Sequence, residues 1–116
     1  MTDQHIALFV FLSACDPAWK AEGSVVDTSG APIVGASVVV VCPNEERSLD
    51  TVKTTAAGRF EVGGAGASRA MGCSLEVSKP TYHLKTMHMM DACFRSRKTQ
   101  NYDLPCGSSE GKITLE

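Results

Sequence analysis

Five cysteines hold most of the reactive chemistry in this 116-residue chain: Cys15, Cys42, Cys73, Cys93 and Cys106. No two form a C-x-x-C pair, and no Cys/His group has zinc-finger spacing. Five thiols are many for a cytosolic domain of this size that binds no metal, so the pattern points to an oxidising compartment. Pairing consumes an even number, and one cysteine is left for another use. Four cysteines allow three connectivities.

Other side chains could do chemistry but lack the right arrangement. Tyr82, His83, His88 and Tyr102 are of the types that hold ferric iron in intradiol dioxygenases. Those enzymes place both tyrosines before a closely spaced His-x-His, whereas the order here is Tyr, His, His, Tyr. On one strand, His83 and His88 differ by an odd number of positions and face opposite sides. Met87, Met89 and Met90 are of the type that binds copper through thioethers, yet their positions suit core filling. Arg95-Ser96-Arg97-Lys98 is a basic run that would suit an acidic glycan or a lipid headgroup, or a solvated loop. No G-x-S-x-G elbow, phosphate-binding G-x-x-x-x-G-K-[ST] loop or H-E-x-x-H helix occurs. The expectation is a protein with no catalytic residues, no metal and no cofactor.

Net charge is -2 and the sequence pI is about 5.9, too weak an overall field to attract nucleic acid or an anionic membrane face. One domain is expected from the length. Ten glycines and five prolines imply many turns.

Residues 6–14 read IALFVFLSA, an apolar run too short to span a bilayer as a helix but suited to a signal-peptide core. It ends Leu12-Ser13-Ala14-Cys15, which resembles the lipobox of bacterial lipoproteins. The resemblance implies that Cys15 receives a diacylglycerol and becomes the new N-terminus, anchoring a cell-envelope protein in a membrane, with the leaflet open. Residues 1–5 carry no Lys or Arg, unlike the positive start of a signal peptide, which leaves a true start upstream of Met1 open. Assigning Cys15 to lipid leaves four cysteines for two disulfides.

The elements that must position these groups are short strands. After a tether over 15–21, strands are expected at 24–27, 37–42, 49–55, 59–62, 73–78, 82–90 and 99–104. Mobile or charged loops are expected at 43–47, 63–72 and 91–98, and a loose tail at 107–116. Alternation puts Phe60, Val62, Cys73, Leu75 and Val77 on the core face. Turn signals roughly every ten residues, with no helical apolar period, call for an all-β, seven-stranded antiparallel Greek-key β-sandwich over 22–106.

Gly23-Ser24-Val25-Val26-Asp27, Ser29-Gly30 and Pro32-Ile33-Val34-Gly35-Ala36-Ser37-Val38 resemble G-x-V-x-D-x-x-G-x-P-L-x-G-A-x-V, the opening of the carboxypeptidase regulatory-like domain. Thr54-Thr55-Ala56-Ala57-Gly58-Arg59-Phe60-Glu61-Val62 resembles its T-x-T-x-x-x-G-x-F-x-V signature. Ser74-Leu75-Glu76-Val77 with Tyr82 resembles its Y-x-L-x-V-x-x-x-G-Y strand pair, except that Thr81 stands where the family has glycine. The resemblance implies a transthyretin-like (prealbumin-like) sandwich and an accessory module that stabilises, spaces or binds. It also implies that strands 37–42 and 73–78 are antiparallel neighbours. Cys42 would then meet Cys73, at about 3–4 kcal/mol of loop-closure stabilisation. Cys93 and Cys106 would form the second pair, at about 3 kcal/mol.

The function expected is a non-enzymatic envelope module with a protein or polysaccharide partner. The alternative is a small-ligand or metal carrier using the 82–90 strand.

Overall fold

The computed structural model describes residues 16–97, 102–107 and 111–116. The predicted signal peptide 1–14 and Cys15 lie outside the described residues. The chain forms eight strands: β1 Trp19–Val26, β2 Ser37–Val41, β3 Asp50–Lys53, β4 Arg59–Gly64, β5 Ser74–Ser78, β6 Lys85–His88, β7 Cys93–Ser96 and β8 Lys112–Thr114. A one-turn helix, α1, spans Ala67–Ala70 within the expected 63–72 loop. A 3₁₀ turn spans Met89–Asp91.

The strands build a β-sandwich of two four-stranded sheets. One sheet runs β3-β2-β5-β6, antiparallel throughout. In the other, β4 lies along one edge of β1 over Trp19 to Ser24. The opposite edge of β1 is shared. Antiparallel β7 pairs with Trp19 to Glu22, and parallel β8 pairs with Ser24 to Val26.

Alternation explains the core. Val38 and Val40 of β2 and Leu75 and Val77 of β5 point inward and are buried. Trp19, Ala21 and Val25 of β1 meet them from the other sheet with Phe60, Val62, Phe94 and Ile113. Each large side chain so buried contributes about 1.5–3 kcal/mol. The four-valine run sits in a central strand, where Val39 and Val41 are half-buried on the outer face. Asp50 fastens the two layers at one edge. Its Oδ2 accepts the Gly63 N–H of β4 at 3.0 Å, across the gap from β3.

The turn after β1 follows its sequence. Asp27 Oδ1 accepts the Ser29 N–H at 2.9 Å, the Ser29 hydroxyl at 2.6 Å and the Ala31 N–H at 3.0 Å. Gly30 supplies the left-handed φ of 87° that the tight return requires.

Five expectations are corrected. The stretch 15–21 is not a tether up to Ala21, because Trp19-Lys20-Ala21-Glu22 alternates apolar and polar and starts β1. The tail 107–116 is not loose throughout: Ile113 and Leu115 are buried, and β8 joins β1 in parallel, which departs from a purely antiparallel sandwich. The strand expected at 82–90 shrinks to Lys85–His88, since Pro80 and Thr81 turn the chain before it and Met89 leaves it to enter the core. Finally, the loop expected at 91–98 contains β7. The strand expected at 99–104 is not one over its described part, 102–104, which forms a turn and bend.

Candidate functional site

The cysteines meet because the strands deliver them. Cys42 follows β2 and Cys73 precedes β5, and these strands pair antiparallel with Val41 opposite Ser74. The two cysteines form a disulfide with Cα atoms 4.3 Å apart. Cys93 begins β7 and is joined to Cys106, with Cα atoms 6.2 Å apart.

The second disulfide organises the outer face of the β1 sheet. Directly opposed residues share a face. Lys20 opposes Arg95 and Glu22 opposes Cys93, so all four lie on the side away from the core. Cys93 and Arg95 are nonetheless only 3% and 9% exposed. The chain around Pro105 and Cys106 lies across them as a strap. Arg95 donates from Nη2 to the Pro105 carbonyl at 2.9 Å, and its Nε lies 3.2 Å from the Cys106 sulfur. Lys20 Nζ sits 5.1 Å from the centre of the Tyr102 ring, in cation–π range. Two like charges facing each other across β1 and β7 are thus each given a separate partner in the strap.

At the start of β1, Trp19 stacks on Phe94, ring centres 5.8 Å apart, and its indole N–H reaches the Ala65 carbonyl at 3.2 Å. The preceding residues are pinned to α1. Ala67 donates its N–H to the Pro17 carbonyl at 3.0 Å, and Asp16 Oδ1 accepts the N–H and hydroxyl of Ser68 at 3.3 and 3.2 Å. Asp16, Pro17, Ala18, Arg97 and Tyr102 line a cavity of about 350 Å³ at this end.

The basic run is therefore divided. Arg95 lies beneath the strap, Ser96 is buried, Arg97 is exposed, and Lys98 falls outside the described residues. The histidine, tyrosine and methionine candidates are dispersed. His83 donates its N–H to the Glu116 carbonyl at 2.8 Å, beside a cavity of about 220 Å³. His88 is at the other end of β6, where its Nδ1 accepts the Met90 N–H at 3.3 Å. Tyr82 packs against the core, and Tyr102 lies over the opposite sheet. Met89 is fully buried and Met90 exposed. Among the described residues, the one set of three or more potential metal-ligand side chains that converges is Glu22, Cys93 and Cys106, and its two sulfurs belong to the disulfide.

Sequence reasoning missed Trp19 as a core residue and Arg95 as a buried one. The strict Trp19-Lys20-Ala21-Glu22 alternation was a usable signal for the first. Nothing local signals the second, because a segment ten residues away covers Arg95.

A family model described as carboxypeptidase regulatory-like domain matches residues 21–92. The comparisons with curated proteins and with solved structures returned no match.

Proposed function

The chain belongs to the carboxypeptidase regulatory-like domain family, and from that premise we propose a non-enzymatic module of the bacterial cell envelope, held to a membrane by a lipid on Cys15 and offering its sandwich to a protein or polysaccharide partner. The observation that carries this reading is the cysteine pattern. Cys42 with Cys73 and Cys93 with Cys106 use four of the five cysteines as cross-links. Such cross-links persist where the compartment is oxidising. The fifth cysteine is the one that ends the apolar, lipobox-like run.

Two further points support it. Domains of this family are non-catalytic sandwiches, so their use is to stabilise, space or bind. The second cross-link also holds a strap over the β1 sheet, which stiffens a small domain whose core alone leaves a thin stability margin.

Fractionation of the producing cells tests the anchor. The chain should sediment with membranes and be released by detergent but not by high salt. Cys15→Ser should move it to the soluble or unprocessed fraction. A Cys15→Ser variant that stays detergent-dependent and correctly processed would overturn the reading.

A further inference from the structure

An anchor on Cys15 would not hang the sandwich on a flexible leash. Only residues 16–18 separate Cys15 from β1, a span of about 10 Å at full extension. Two of those three are already held. Pro17 is bonded to Ala67, and Asp16 to Ser68. Trp19 then locks the chain into the core. Acyl chains on Cys15 would therefore bring this end of the sandwich to the level of the lipid headgroups. The turn at Asp27, eight residues further along β1, would stand about 25 Å away.

What this end presents suits a headgroup. The cavity of about 350 Å³ is lined by Arg97 and Tyr102 together with Asp16, Pro17 and Ala18. Arg97 is exposed, and its planar guanidinium matches a phosphate in a bidentate fashion. The Asp16 carboxylate is already engaged by both donors of Ser68. Tyr102 supplies an amphipathic ring of the kind enriched at membrane interfaces. The Lys20 ammonium on its ring adds a second positive charge nearby. Arg97 and Tyr102 both lie beyond the part of the chain matched by the family model.

We propose that this cavity is a phospholipid headgroup site: Arg97 pairs with a lipid phosphate, the Tyr102 ring lies in the interface, and the module stands on its membrane on the Asp16 end with the Asp27 turn outermost. The inference rests on the lipid-anchor reading.

The test uses the full chain, isolated from its host with its own modification. It is placed in nanodiscs of phosphatidylcholine and phosphatidylglycerol containing a headgroup nitroxide, and amide broadening is read by NMR. Ala18, Arg97 and Tyr102 should broaden at least tenfold more than Ser29 and Gly30. Arg97→Ala, with an otherwise unchanged spectrum, should reduce the effect at Tyr102 about threefold. Equal broadening at both ends, stronger broadening at Gly30, or no change in Arg97→Ala would overturn the headgroup site in protein whose mass carries the lipid. A mass without lipid on Cys15 would instead overturn the anchor reading, and the orientation with it.

Discussion

Tyr82 donates its backbone N–H to the carbonyl of Lys79 at 3.0 Å, and the turn so closed holds Thr81 at a φ of 78°. Pro80 occupies the second position of that turn, where its fixed φ is favourable, and the third position requires positive φ. The family pattern has glycine there. This chain keeps the backbone geometry with a β-branched residue, for which positive φ is a genuine outlier.

Thr81→Gly should therefore stabilise the chain. Relief of the left-handed strain is worth about 1–2 kcal/mol, and the extra unfolded-state freedom of glycine takes back about 0.5–1 kcal/mol. A net gain near 1 kcal/mol is expected in urea unfolding with intact disulfides. Thr81→Ala should give no such gain.

Thr54 gives the opposite case. Its hydroxyl donates to the Ile33 carbonyl at 2.6 Å and accepts the Ala36 N–H at 2.8 Å, both buried. Thr54→Val keeps the shape but strips partners from two backbone groups. The expected loss is about 2 kcal/mol in the same unfolding experiment, with Thr54→Ser retaining most of the stability.

At Gly23 the close approach comes from another strand. A Cβ there would overlap the Gly111 carbonyl oxygen, which accepts the Ser24 N–H at 3.1 Å as β8 enters. Gly23→Ala should cost about 2 kcal/mol and speed hydrogen exchange at Ile113 and Leu115. Gly107→Ala, where a Cβ meets open space, should change neither.

Asp27 titrates low. The Ser29 hydroxyl is the largest cause, followed by the Ala31 N–H, because both hydrogen-bond the charged carboxylate. A folded-state value below the ordinary 3.8 means that the contribution is complete above that value and is lost as pH falls through the lowered one. A carbon-detected NMR titration of the side-chain carboxyl should give a midpoint below 3.8, and Ser29→Ala should move it back upward.

Much of this architecture was readable from residue patterns. The valine run marked β2 as central, and the Cys73, Leu75, Val77 alternation set the core face of β5. The Asp27, Gly30, Pro32 chemistry located the first turn. What stayed illegible depended on distant contacts. β7 carries Arg95 in a basic run, and only the strap from Pro105 and Cys106 makes that residue a buried one. β8 and the residue just after it carry two buried apolar side chains, Ile113 and Leu115, too short a pattern to register until β1 offers an open edge. At the candidate site, Arg97 and the basic run could be named in advance, but their closeness to Asp16 comes from the pairing of β1 with β7.

The central claim is that Cys15 carries lipid while the other four cysteines are cross-linked. Intact-mass analysis with peptide mapping of protein from its own host tests it most directly. The account predicts a chain beginning at Cys15 with a diacylglycerol adduct, and a mass four hydrogens below that of the fully reduced form, in Cys42–Cys73 and Cys93–Cys106 peptides. A chain that still contains residues 1–14 and five free thiols would contradict it.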